Sequence, residues 1–157
     1  MENIKKETMK ASDYLKREIV VRTVAAIREY EEDESINLES LLKDHNIVWD
    51  GETINEQNVD ELYYMICDHD YHYDEMYELR GGTYETGLDC GGSRHYESKG
   101  VAAEFDGKMV AWVYWYGGGK HGEPSAIDWI DDAYFVNVTE ETKVVKVFSK
   151  IEPSTTD

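Results

Sequence analysis

The run from Lys108 to Tyr116 constrains the fold more than any other part of this sequence, because both of its alternating sets are apolar. Met109, Ala111, Val113 and Trp115 fall on one side of an extended chain, and Val110, Trp112, Tyr114 and Tyr116 on the other. Successive side chains point to opposite faces of a strand, so a strand of this composition is expected to be covered on both sides. Immediately before it stands Asp106-Gly107, a pair that accepts the positive φ angles of a type I′ turn. Before that, Tyr96 to Phe105 has strand character. The sequence therefore predicts a β-hairpin within a layered fold.

One layer over that hairpin is supplied by an amphipathic helix. Leu15, Ile19, Val20, Val24 and Ile27 recur at three- and four-residue spacing behind Ser12, a suitable cap, and predict a helix to about Tyr30 with Lys16, Arg17, Arg22 and Arg28 on its opposite face. The block Glu29-Tyr30-Glu31-Glu32-Asp33-Glu34 places like charges where the helix dipole disfavours them, so the helix ends or frays there. Asn37 with Leu38, Leu41 and Leu42 suggests a short helix to about His45, before the turn signal Asp50-Gly51. Asn58 and Glu61 have capping-box spacing for a further helix whose Val59, Leu62, Tyr63 and Ile66 share a face, running to Asp68 or Tyr73. From Gly81 glycines concentrate and the helical period gives way to strand-like runs. Ala133 to Val138 and Lys143 to Ile151, joined by Thr139-Glu140-Glu141-Thr142, suggest a second hairpin. The fold expected is a single α+β domain, N-terminal helices packed on a mostly antiparallel sheet of about four strands. It has a helical acidic lobe over about 1–80, a β-rich lobe over about 81–152 and a loose tail at 153–157.

Charge is the second strong signal. The chain of 157 residues has a formal net charge of −18, and between Glu29 and Leu79 seventeen acidic residues face one base, Lys43, a local net of −16. A solvated surface explains many such runs. Proteins that need only solubility generally mix the two signs, however, because crowded like charges repel. Duplex DNA carries one charge per roughly 1.7 Å, so this stretch matches the phosphates of about eight base pairs. The candidate partner-binding residues are Glu29, Glu31, Glu32, Asp33, Glu34, Asp60, Glu61, Asp68, Asp70, Asp74, Glu75 and Glu78, with interleaved tyrosines as anchors. In size and charge the chain resembles the small acidic DNA mimics that phages use against restriction or CRISPR systems, with no shared motif. The expectation is a non-enzymatic inhibitor or decoy that engages a basic nucleic-acid-binding protein. Direct binding to nucleic acid is not expected, since no basic stripe occurs beyond the first helix. An acidic protein–protein interaction module, charged for solubility alone, is the plainer alternative.

Chemistry-bearing residues give weaker signals. Cys67, His69 and His72 with Cys90 or His95 could supply zinc ligands, but their spacing fits no paired zinc pattern, and Asp68, Asp70 and Asp74 fail as a calcium loop, with Tyr73 at the turn-glycine position and Leu79 at the final-carboxylate position. Gly117-Gly118-Gly119-Lys120-His121-Gly122 has the composition of a phosphate cradle without its Ser or Thr and following helix, and reads as a flexible loop with Lys120 and His121 at its tip. Asp128, Asp131 and Asp132 around Trp129 could act as an acid/base pair only if a pocket raised one pKa, and Ser93 near His95 forms no nucleophile elbow. No catalytic residue, metal or cofactor is expected, and a small enzyme or zinc protein using the glycine-rich lobe is the alternative. No apolar run reaches the roughly 18 residues of a membrane span, and Met1 to Lys10 lacks the apolar centre of a secretory signal. A cytoplasmic protein with two free thiols, and a sequon at Asn137 without consequence, is expected.

Overall fold

A computed structural model describes residues 9–29 and 54–153. The short helix expected at 37–45, the turn at Asp50-Gly51, the charges Glu31 to Glu34 and the last four residues of the tail lie outside them.

Helix α1 runs Ala11–Glu29. Ser12 lies inside it, and the expected Ser12 cap is replaced by Asp13, whose Oδ2 accepts the Lys10 backbone N–H at 3.0 Å and so satisfies a donor ahead of the first turn. Leu15, Ile19, Val20 and Val24 are fully buried, as their spacing requires. Lys16 departs from expectation: rather than facing solvent beside Arg17 and Arg22, it is only 6% exposed. A long aliphatic stem can follow an apolar surface wherever the ammonium finds an anion.

Helix α2 is Val59–Asp68 and α3 is Tyr73–Arg80. Val59, Leu62, Tyr63 and Ile66 are buried on one face of α2. The expected capping box does not form; Asn58 makes no side-chain cap, and its Oδ1 accepts the Asn55 N–H at 2.9 Å. The continuation to Tyr73 is cut at Asp70, which sits at φ 60°, a left-handed conformation that aspartate tolerates. A separate helix, α3, follows, which the sequence reading did not anticipate.

The sheet is antiparallel throughout, in the order β1 (Tyr84–Glu85), β2 (Glu97–Phe105), β3 (Lys108–Tyr116), β4 (Tyr134–Val136). Phe105 pairs with Lys108 across Asp106 (φ 50°) and Gly107 (φ 79°), so both central turn residues take the positive φ that the dipeptide foretold. The second hairpin does not form. Tyr134–Val136 pairs with Met109–Ala111, but Lys143 to Ile151 is neither strand nor helix and is exposed along its whole length. High β-propensity alone does not make a segment a strand. The fourth strand is instead the two-residue β1, paired to Ala102 and Val101.

One buried cluster joins the helices to the sheet, with Leu15, Ile19 and Val24 of α1 and Leu62 and Ile66 of α2 in the same core as Val101, Val110 and Trp112. Trp112 is fully buried beside Trp129, with ring centroids 5.4 Å apart, and its Nε1 donates to the Arg80 carbonyl at 2.8 Å. The Arg80 guanidinium donates to the Trp115 carbonyl and lies 4.4 Å from the centre of the Tyr114 ring. These contacts fasten the end of α3 to β3 and satisfy a buried arginine through a carbonyl and an aromatic face. The opposite face of the sheet carries no helix among the described residues. Irregular chain crosses it: Ser98 Oγ donates to the Gly91 carbonyl at 2.8 Å, and a Cβ on Gly100 would stand 2.3 Å from Thr86 Oγ1 and 3.3 Å from Cys90 Sγ.

Candidate interaction surface

The described acidic candidates gather on α2, α3 and the turn between them. Asp60 and Glu61 occupy the first turn of α2, and Asp74 and Glu75 the first turn of α3. Carboxylates there oppose the positive ends of the helix dipoles, so these four have a local structural role. Asp60 has a second one, as its Oδ1 accepts from Lys16 Nζ at 3.0 Å. Asp68 ends α2, Asp70 follows it, and Glu78 lies in the last turn of α3. Helix-dipole energetics disfavour Asp68 and Glu78 at those C-terminal positions, and no lysine or arginine among the described residues forms an ion pair with any of the three. Glu29 closes α1, and Glu31, Glu32, Asp33 and Glu34 lie outside the described residues.

The tyrosines divide between core and surface. Tyr63 is buried, whereas Tyr64, Tyr73 and Tyr77 are 55%, 61% and 67% exposed. They stand among exposed Glu61, Asp68, Asp70, Asp74 and Glu78, and Tyr73 Oη reaches Asp70 Oδ1 at 3.4 Å. Glu75 is half-buried, and its carboxyl is pushed up by burial and by the negative charges of Glu78 and Asp74, against a lowering pull from Arg22.

At the edge of this face Lys16 forms an anchor that the sequence reading missed. Its Nζ lies 3.0 Å from Asp60 and 3.6 Å from Asp131, and stands 5.6 Å and 5.5 Å from the ring centres of Tyr63 and Tyr64. Burial alone would lower its pKa, but the hydrogen bond and charge of Asp60, helped by Tyr64 and Asp131, outweigh it and leave the ammonium more basic than usual. Asp131 is itself pushed up, first by a hydrogen bond to Asp128 and then by burial. This is the raised carboxyl an acid/base pair would need, yet the Asp131 side chain is 64% exposed and lines neither of the two main clefts. Lys16 neutralises part of this pair and ties α1 to α2 and to the segment before β4.

The other chemistry-bearing residues do not converge. Among the described residues no three His, Cys, Asp or Glu side chains are grouped to hold a metal ion. Cys67 packs beside Tyr63 on the helix side of the sheet, and Cys90 lies against Gly100 on the other side. Burial pushes both thiols up, the opposite of what a nucleophilic cysteine requires. The Ser93 Oγ merely accepts the His95 backbone N–H at 3.4 Å. In the glycine-rich run the backbone is left-handed at three successive glycines. Gly117, Gly118 and Gly119 take φ of 76°, 89° and 69°, the Gly118 backbone packs on Gly122, and Tyr96 Oη accepts the Glu123 N–H at 3.2 Å. The glycines are there for steric fit, and only single 3-10 turns follow, not the helix of a phosphate loop. Lys120 is exposed at the tip. A cleft of about 450 Å³ between α1 and β2 is lined by Arg17, paired with Asp106 at 2.5 Å, by Arg22, paired with Glu18 at 2.8 Å, and by Glu78.

Among the described residues no helix is long and apolar enough to cross a membrane. No protein-family model, curated protein or solved structure matches the chain.

Proposed function

We propose that this protein is a non-enzymatic decoy that presents the acidic face of α2 and α3 to a basic, nucleic-acid-binding protein, in the manner of a phage-type anti-restriction or anti-CRISPR protein acting in the cytoplasm. The observation that carries this reading is the set Asp68, Asp70 and Glu78. These carboxylates are exposed and paired with no lysine or arginine among the described residues, and Asp68 and Glu78 are placed against the helix dipoles, while exposed Tyr64, Tyr73 and Tyr77 lie on the same two helices. Charge supplies long-range steering toward a basic groove, and tyrosine supplies the desolvated contacts that hold a complex together. The same charge repels nucleic acid itself.

The test uses the immobilised full-length protein and a bacterial lysate at low salt and at about 0.5 M salt, where exposed charges are screened beyond a few ångströms. A parallel column carries the variant with Glu61→Gln, Asp68→Asn, Asp70→Asn, Asp74→Asn and Glu78→Gln. The expected result is a DNA-handling protein retained by the wild type only, released by salt and displaced by duplex DNA. Equal retention by both columns, or a captured protein that duplex DNA does not displace, would overturn the reading.

A further inference from the structure

After β4 the chain enters a stretch that is exposed and pairs with no strand among the described residues. Val147, Phe148 and Ile151 are 86%, 90% and 91% exposed, and Val144 and Val145 are exposed as well. Exposed apolar side chains occur singly on most proteins, but five within eight residues mark a contact surface. Their order is that of a strand, with Val145, Val147 and Ile151 on one side and Val144 and Phe148 alternating with Lys146 and Lys150 on the other. With Lys143 the segment holds three bases and no acid from 143 to 151, in a chain of net charge −18.

A complementary surface lies nearby. On the helix-free face of the sheet a groove of about 1130 Å³ runs between β1 and β4, with Tyr84, Leu88, Ala102, Met109, Val136 and Val138 among its lining. Its rim carries Glu85, Glu104 and Glu140 against the single base Lys108; Glu85 is already engaged by Lys99 at 2.7 Å. β4 is the last strand of the sheet, so its far edge has no strand partner among the described residues. A basic, apolar strand and an acidic, apolar groove beside an open edge therefore occur in one chain that does not join them.

We propose that residues 143–151 form an exchange arm that docks in this groove on a second copy of the chain, adding a strand along β4 while the second copy's arm does the same in return. Reciprocal exchange uses both arms and both β4 edges and closes as a two-fold dimer. Strand addition contributes main-chain hydrogen bonds while the alternate side chains enter the groove. The three lysines offset the repulsion that two such acidic bodies would otherwise bring to a dimer. An unrelated protein's sheet edge would lack this match.

Light scattering coupled to size exclusion on the full-length protein, with hydrogen exchange of the arm amides, tests the proposal. The wild type is expected to have twice the chain mass of 18.2 kDa, with arm amides protected. Val147→Asp with Phe148→Asp, at sites that are 86% and 90% exposed in the single chain, is expected to weaken the dimer roughly a hundredfold or more, since it replaces two apolar groups buried in the dimer with charge. Its thermal unfolding as a monomer should match that of the β2–β3 core. A monomeric wild type with protected arm amides would show the arm closing on its own β4. A monomer with unprotected amides would assign the arm to another partner, and a dimer indifferent to the substitutions would place the interface elsewhere. Each of these three results overturns the proposal.

Discussion

Lys16→Met isolates the anchor that holds the acidic helices to the rest of the fold. Methionine keeps most of the aliphatic volume, so the substitution removes the charge with little change in packing. Breaking a fully buried ion pair costs about 3–5 kcal/mol, largely because the abandoned partner stays buried and charged, whereas an exposed pair is worth about 0–1 kcal/mol. Here the lysine is buried but the Asp60 and Asp131 side chains are 57% and 64% exposed, so water solvates the carboxylates once the ammonium is gone. The lysine also sheds its own desolvation penalty. The expected loss is therefore intermediate, about 1–2 kcal/mol, or a fall in melting temperature of about 3–8 °C for a chain of this size. Urea titration of wild type, Lys16→Met, Asp60→Asn and the double variant gives the coupling directly, expected at about 1 kcal/mol. Because the folded lysine is more basic than its reference of 10.5, its stabilisation is complete below that pH and is lost only as pH rises through the higher folded value. The wild type and Lys16→Met should consequently differ by a constant amount through neutral pH. An unchanged or higher urea midpoint for Lys16→Met would refute the reasoning, since it would mean that desolvation outweighs pairing at this site.

Two further predictions rest on single residues. His72 is buried with its Nδ1 unpartnered among the described residues, and burial lowers its pKa below 6.5 despite the opposing charge of Asp70. Stability from this group is present above pH 6.5 and is lost as pH falls from there through the folded value, so urea midpoints should drop over that window in wild type and stay flatter in His72→Leu; parallel pH profiles would exclude His72 as the source. Gly118→Ala places a Cβ 2.5 Å from the Tyr96 ring at a φ of 89°, and should cost about 2 kcal/mol or more in urea unfolding. A neutral effect would mean that the loop yields and that the expectation of flexibility was sound.

The features legible in the sequence are those written in adjacent residues. Asp106-Gly107 specified the hairpin turn because its positive φ angles are a local property, and the Leu15, Ile19, Val20 and Val24 stripe specified a buried helix face because helical periodicity needs no partner to be visible. The concentration of charge was equally plain, along with the α+β layering that follows from one helical stripe and one doubly apolar strand. What could not be read depended on residues distant in the chain. Lys16 looked like a surface base until Asp60 and Asp131 met it, and Arg80 is buried because the Trp115 carbonyl and the Tyr114 ring receive it. Among the candidate carboxylates, sequence alone made no distinction between Asp60, held by a lysine, and Asp68, Asp70 and Glu78, which have no base to pair with among the described residues. The segment 143–151 carries a strand's pattern as clearly as β3 does, yet only one of them is a strand. Alternation determines which side chains share a face, whereas the edge that receives the strand is chosen by the tertiary structure, because backbone hydrogen bonds require a second chain segment within reach.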